Sequence, residues 1–336
     1  MNNRLIFLLS VLLLIFLFFI NISIGSVWIA PFEVFKILFT SEHTNQTWEY
    51  IILNYRIPKA VVAVLSGIGL SVSGLLLQTL FRNSLAGPYV LGISSGASLG
   101  VAIVILGAFL FPLSISKSIT SDYGIAIAAI SGSALVLTSI LIASYKIRNT
   151  MSLLIIGLMF GSITSAVVNI LSYFSSGDEL KKYTIWTLGN LGNHSWQTIV
   201  LLSLCTLLGL FLCISIIKPL NALLLGEKYA QSMGTQVNLT KNKIIIITSI
   251  LTGSITAFVG PIAFVGLAIP HITKLLFNKA DHKILLFGTL FLGASCMLIC
   301  DSIAQMPGFN FVIPINAVTS IIGAPIVIWL LFKRNN

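Results

Sequence analysis

RIPKAVVAVLSGIGLSVSGLLLQTLFRNSLAGPYVLGISSGASLG, residues 56–100, is the stretch from which the rest of the chain can be read. Arg56 and Lys59 bracket Pro58 and open an apolar run that ends at Phe81. At about 1.5 Å per helical residue, that run is long enough to cross a hydrocarbon core of about 30 Å. Ala63, Gly67 and Ser71 recur every four residues, a small-residue stripe that lets a second helix approach closely in lipid. After Arg82 and Asn83 the helix breaks at Gly87 and Pro88, because proline lacks an N–H and glycine admits the backbone angles a break needs. A second small-residue ladder follows at Gly92, Gly96 and Gly100.

The whole chain shares this character. Its 336 residues are 57% hydrophobic and only 8% charged, with a mean hydropathy of +1.02. A soluble domain cannot hide so much apolar surface, so the composition predicts an all-α integral membrane protein, one polytopic domain over residues 1–336. At roughly 30 residues per span and loop, about ten helices fit. They are expected at 4–24, 57–81, 89–112, 122–144, 151–174, 196–217, 242–259, 262–277, 284–304 and 313–332, in two halves of five. The first is read as a retained helix rather than a cleaved signal, since no small-x-small site precedes Trp28. An amphipathic piece from Pro31 to Phe39 is expected to rest on the outer interface. The link from second to third span is broken by Gly and Pro in both halves, at 83–92 and 260–270, as in inverted-repeat transporters.

The net charge of +10 reads as Lys and Arg gathered on cytoplasmic loops rather than as a nucleic-acid surface. With the N-terminus inside, thirteen of the nineteen basic residues fall inside, among them Arg82, Arg148, Lys241 and Lys274. Lys36, Arg56, Lys59, Lys117, Lys181 and Lys182 fall outside, and both termini are expected in the cytoplasm.

Few residues carry chemistry. Of nine acidic residues only Asp301 falls inside an expected span, Asp122 standing at the first position of another; Asp301 is read as a structural hydrogen-bonded group near its outer end. An ion-coupled carrier buries several such groups along its path, so their scarcity points to another energy source. No G-x-x-x-x-G-K-[ST] loop is present to cradle ATP phosphates. His43, His194, His271 and His282 are scattered, with no zinc pair and no Ser–His–Asp arrangement. Cys205, Cys213, Cys296 and Cys300 lie in apolar segments and read as small buried residues, with no metal site, although Cys296 and Cys300 share a helix face. The longest cytoplasmic loop, 218–243, holds a short helical piece between Gly226 and Gly234, with Glu227 in its first turn and three leucines at 223–225 before it.

These features resemble one family closely, the FecCD-type permease subunits of bacterial ABC importers for iron–siderophores, haem and vitamin B12. Arg56-Ile-Pro-Lys59, Ser73-Gly74 with Gln78, Asn83-Ser-Leu85-Ala86 and Gly92-Ile-Ser-Ser-Gly96-Ala97 fill the family's motifs, with Ser84 in place of the usual Pro. Gly260-Pro-Ile-Ala-Phe-Val-Gly-Leu-Ala-Ile-Pro-His271, Asp281-His-Lys283, Gly293-Ala294, Asp301, Pro314 and Gly323-Ala-Pro325 follow in family order. The resemblance implies a transport subunit and no enzyme, in the bacterial inner membrane, pairing with a second copy or a sister permease. Two ATP-binding cassette subunits would bind ATP with magnesium on their own chains, and an outer substrate-binding protein would deliver the cargo. It also implies that Leu225, Gly226, Glu227, Ala230 and Gly234 form the coupling surface toward the ATPase. Asn83, Leu85, Thr150 and Met151 would form the cytoplasmic gate, and spans five and ten would line the pathway. Arg56 and Lys59 would dock the binding protein, with anchoring of the helix start as their competing role; a further family arginine is replaced by Gln305. The competing function is a self-sufficient secondary transporter or channel.

Overall fold

In lipid a backbone must close its hydrogen bonds internally, and the chain does so with helices throughout its described residues. The structure, a computed structural model, describes residues 3–25, 27–40, 45–88, 92–112, 116, 118–147, 150–305 and 312–334. His43, Lys117, Arg148, the first residues of the span expected at 89–112 and the Thr150 side chain lie outside the described residues.

Helix α1 (Asn3–Ser23) is followed by the short α2 (Pro31–Phe39) and α3 (Gln46–Ile51). A π-helical turn, Ile52–Arg56, leads without a break into α4 (Ile57–Phe81). Next come α5 (Ile93–Ile105), α6 (Asp122–Lys146), α7 (Thr150–Phe174) and α8 (Gly177–Thr187). The second part of the chain forms α9 (Trp196–Ser215), α10 (Ile217–Leu225), α11 (Glu227–Ser232) and α12 (Val237–Val259). It closes with α13 (Val265–Phe277), α14 (His282–Ala304) and α15 (Ile315–Arg334). Seven of these are long and apolar enough to cross a membrane; α5, α13 and α15 are shorter apolar helices.

Helix α4 is the centre. Its apolar window is 83% buried, against 18% for α7 and 22% for α1, so α4 is walled by protein while α1 and α7 face outward. A helix apolar all round belongs in such a position. The glycine stripes make the packing possible. A Cβ on Gly67 would stand 2.2 Å from the Gly293 carbonyl oxygen of α14, and one on Gly96 2.5 Å from that of Gly132 on α6. No side chain fits between those backbones.

Two expected spans come out short. Both α5 and α13 have 13 residues, about 20 Å of helix against a core of about 30 Å. Each is preceded by irregular backbone that Gly and Pro impose, buried in part, with Ala86 1% and Ile262 7% exposed. Broken helices survive at membrane depth only where other groups satisfy them. Here Asn316 Oδ1 accepts from Ala263 N–H, and Gln78 Nε2 donates to the Leu267 carbonyl. The span expected from residue 242 begins earlier, at Val237, because Lys241 is neutralised by Glu227 and need not leave the helix.

Candidate functional site

The polar residues gather at the two ends of α4, about 37 Å apart for 25 helical residues.

At the Arg82 end, α10 and α11 form a bent pair. Gly226, at φ 122° and ψ 149°, is at once the last cap of α10 and the first of α11. Gly234, at φ 81°, closes α11: its N–H donates to the Gln231 carbonyl, and the Thr235 N–H to the Ala230 carbonyl. That two-bond closure depends on a left-handed residue, the role of glycine. Ala230 is fully buried while Leu225, Tyr229 and Met233 are 63%, 54% and 60% exposed. One side of the pair is thus packed and the other presents bare apolar area. Glu227 pairs with Lys241 of α12 at 2.9 Å, and the Lys241 side chain is 7% exposed. The pair ties α11 to α12.

Arg82 holds α10 to α4. It ends α4 in the left-handed conformation, φ 48° and ψ 33°. Its Nη2 donates to the carbonyls of Leu223 at 2.9 Å and Leu224 at 3.2 Å. The Leu223 carbonyl also accepts the Gly226 N–H, and a guanidinium at this helix end adds a charged donor to the last carbonyls and meets the negative end of the helix dipole. The next residue is Asn83, whose Oδ1 accepts the Leu85 N–H at 2.9 Å and folds the loop. Leu85 is exposed. Met151 is exposed at the start of α7, to which Thr150 contributes its backbone.

A second fastening lies beside the first. Asn221 of α10 reaches Asp281 and His282 at the start of α14, and His282 reaches Thr79 of α4. Asp281 caps α14 by accepting the Lys283 N–H at 2.9 Å. The Asn221 amide, and then the Lys283 N–H, hold its carboxyl below the usual carboxylate range.

At the other end of α4, Arg56 is 9% exposed. Its guanidinium donates to the carbonyls of Ile22 and Ser23, at 2.7 and 2.9 Å, and to that of Val27. It closes the C-terminal end of α1, the helix-anchoring arrangement. Lys59 makes an ion pair with Asp301 at 2.9 Å and donates to Gln305 Oε1 at 3.0 Å. Asn21 and Gln305 donate to the second carboxylate oxygen, at 3.0 and 2.9 Å. Asp301 is therefore a structural group, 1% exposed, and joins α1, α4 and α14. A cleft of about 450 Å³ lies between the starts of α6 and α9 and the loop after α8, lined by Asp122, Lys182, Trp186, His194 and Phe258 among others. Burial there pushes the His194 imidazole below its ordinary value.

Sequence reasoning placed the helical piece between Gly226 and Gly234 but missed the contacts that Arg82, Asn221 and Thr79 make between helices. Arg82 lies next to a recognised motif; its left-handed conformation left no mark in composition. The Ser-Gly-x-x-x-Gln motif did contain Gln78, which supports the short helix α13 and accepts from Lys274 Nζ at 3.0 Å.

The sequence pattern of the FecCD transport family matches residues 13–333. The vitamin B12 import system permease protein BtuC of Escherichia coli O127:H6 is 34% identical over 335 residues, covering 99% of this chain and 96% of BtuC. The hemin transport system permease protein HmuU of Yersinia pestis is 33% identical over 301 residues, covering 89% and 88%. An inward-facing metal-chelate type ABC transporter superposes with a TM-score of 0.85 at 28% identity, over 98% of this chain and 99% of that one. PsaBC from Streptococcus pneumoniae, at 16% identity and a TM-score of 0.55, shares the fold alone, over 89% of this chain and 94% of that one.

Proposed function

The chain belongs to the FecCD transport family, and we propose that it is the membrane permease of an ATP-driven importer whose cargo is a bulky metal chelate such as a ferric siderophore, haem or cobalamin. One observation carries the mechanism. The bent pair α10–α11 offers an exposed apolar face at Leu225, Tyr229 and Met233 and is fastened to the end of α4 by Arg82, the residue before Asn83. A partner pressing on that face pulls on the loop that carries Asn83 and Leu85. The partner is a separate ATPase chain holding ATP and magnesium, docked on Leu225, Gly226, Glu227 and Gly234; Ala230, expected on that surface, is fully buried and packs the pair from beneath. The gate is Asn83 and Leu85 against Thr150 and Met151.

The Arg82 end is cytoplasmic and the Arg56 end faces outward, in a bacterial inner membrane, with ten spans and both termini inside. Helices α1, α4, α5, α6 and α7 make one half, and α9, α12, α13, α14 and α15 the other. Packing supports the division. Helix α4 lies on α14 as α12 lies on α6; α5 lies on α6 as α13 lies on α14; α4 meets α13 as α12 meets α5. These three contacts each have a counterpart with the halves exchanged, as an inverted repeat requires, whereas α1 on α14 and α9 on α4 have none among the described residues. The outward apolar faces of α7 (Ile155, Met159, Ile163) and α15 (Ile321, Ile328) pair with a second copy or a sister permease, and the pathway runs between them. An outer binding protein docks near Lys59, which keeps 19% exposure. Arg56 takes part only if it leaves its three carbonyls.

The test is reconstitution of the permease with its ATPase and binding protein in vesicles, with haem and cobalamin as probes. ATP-dependent uptake is expected, and Leu225→Asp abolishes binding-protein stimulation of the ATPase while the chain still folds. Undiminished stimulation in Leu225→Asp overturns the coupling surface.

A further inference from the structure

Arg82 fastens only the last turn of α10 to α4. A second set of bonds joins the middle of α10 to both α4 and α14. Asn221 Nδ2 donates to Asp281 Oδ1 at 3.0 Å, which turns its Oδ1 toward His282. There it accepts the His282 backbone N–H at 2.8 Å and the ring Nδ1–H at 2.8 Å. The opposite ring nitrogen, Nε2, lies 2.8 Å from Thr79 Oγ1. One imidazole thus spans from an amide on α10 to a hydroxyl on α4, while its own backbone begins α14. His282 is 1% and Thr79 4% exposed, so water does not compete for these bonds.

Helices α4 and α14 do not need this chain of bonds to meet, since the Gly67–Gly293 contact already brings their backbones together. Buried polar groups contribute little net stability over an apolar filling of the same shape, but they admit only one arrangement of their partners. The imidazole suits that task because its two nitrogens sit on opposite edges of a rigid ring. A shorter or more flexible side chain reaches one partner only.

We propose that His282, bridging Asn221 and Thr79, is a positioning residue that makes α4 and α14 follow the α10–α11 pair when nucleotide moves it. The proposal rests on the importer reading above. His282 touches neither cargo nor nucleotide, so its loss uncouples rather than inactivates.

The test uses the permease–ATPase complex in lipid nanodiscs, with ATP plus vanadate as the probe and no cargo. Backbone hydrogen exchange is followed at residues 217–236, at 82–87 and at the start of α14, alongside basal ATPase rate and thermal midpoint. His282→Asn places an amide where Nδ1 stood and keeps the Asn221 bond. His282→Gln reaches Thr79 and loses Asn221. Thr79→Val removes one hydroxyl at nearly constant shape and carries the test if the His282 variants do not assemble. The expected result is a nucleotide response at 217–236 equal to wild type and a response at 82–87 and at α14 reduced about fivefold, with ATPase rate and midpoint unchanged. Combining Thr79→Val with His282→Asn should add nothing to either alone, since both cut the same bond. A wild-type response at all three segments in every variant overturns the proposal, as does a loss that tracks a lowered midpoint. Absence of any response at 217–236 in the wild-type complex would instead remove the importer reading.

Discussion

Removing the Asp301 carboxylate strands Lys59. Their ion pair is 2.9 Å long, with the side chains 19% and 2% exposed. Leaving one member of such a pair alone costs about 3 kcal/mol, whereas replacing both by apolar groups is close to neutral. Asp301→Ala should therefore lower the thermal midpoint in detergent, and Lys59→Met added to it should restore most of the loss. Equal midpoints for the two variants would show that the pair is not what Asp301 supplies. Asp281 gives a second prediction. Its carboxyl is held below the usual range by the Asn221 amide, so the folded state binds its proton less readily than the unfolded chain, whose value is about 3.9. The stabilisation is present above that value and lost as pH falls through the lower folded one. Asp281→Asn should be less stable than wild type at neutral pH and converge with it in acid, followed by denaturation across pH. At this scale the sequence was only partly legible. Asp301 stood out as the single acid in an apolar run, and its structural reading agrees with the pairing found. The partners of Arg56 are main-chain carbonyls some thirty residues back, and a carbonyl looks the same whatever residue carries it.

Among the elements, the small-residue stripes were legible because lipid leaves close backbone contact as the main route to tight helix packing. Gly67 and Gly96 each lie where an added Cβ would fall within 2.5 Å of a facing carbonyl carbon or oxygen. The obstacle is backbone, which cannot swing aside as a side-chain tip does. Gly67→Ala should force α4 and α14 apart and cost about 2 kcal/mol or more by overpacking, read as a lower midpoint and faster amide exchange along α14. Gly234→Ala separates two effects. Nothing lies within 4 Å of a Cβ there, but the φ of 81° is left-handed, which costs a side chain about 1–2 kcal/mol. A loss of that size without any change in packing is expected, seen as fraying of α11 by exchange. What the apolar pattern concealed was helix length. Hydropathy continues beyond the helix ends, through 106–112 after α5 and 262–264 before α13, so both read longer than their 13 residues.

For the whole molecule, the question is what drives movement. A carrier powered by a proton or sodium gradient must take a charge into its path and release it on the far side. Among the described residues, no acidic side chain lies midway along an apolar helix. Asp301 sits three residues from the end of α14 and is locked to Lys59, Asn21 and Gln305. Glu227 is held by Lys241 at the opposite end of the molecule. Both pairs are neutral as they stand, and neither has a route to the other across the buried length of α4. The fold instead presents a bare apolar face on α10 and α11, fastened to α4 through Arg82, which favours a drive applied from outside the chain. Vesicles holding this chain alone, with a proton or sodium gradient imposed, should take up haem and cobalamin no faster than empty vesicles. Adding the ATPase, the binding protein and ATP should produce uptake. Gradient-driven accumulation by the chain alone would mean that a charge does cross its interior, and the apolar face at Leu225 would then need another occupant.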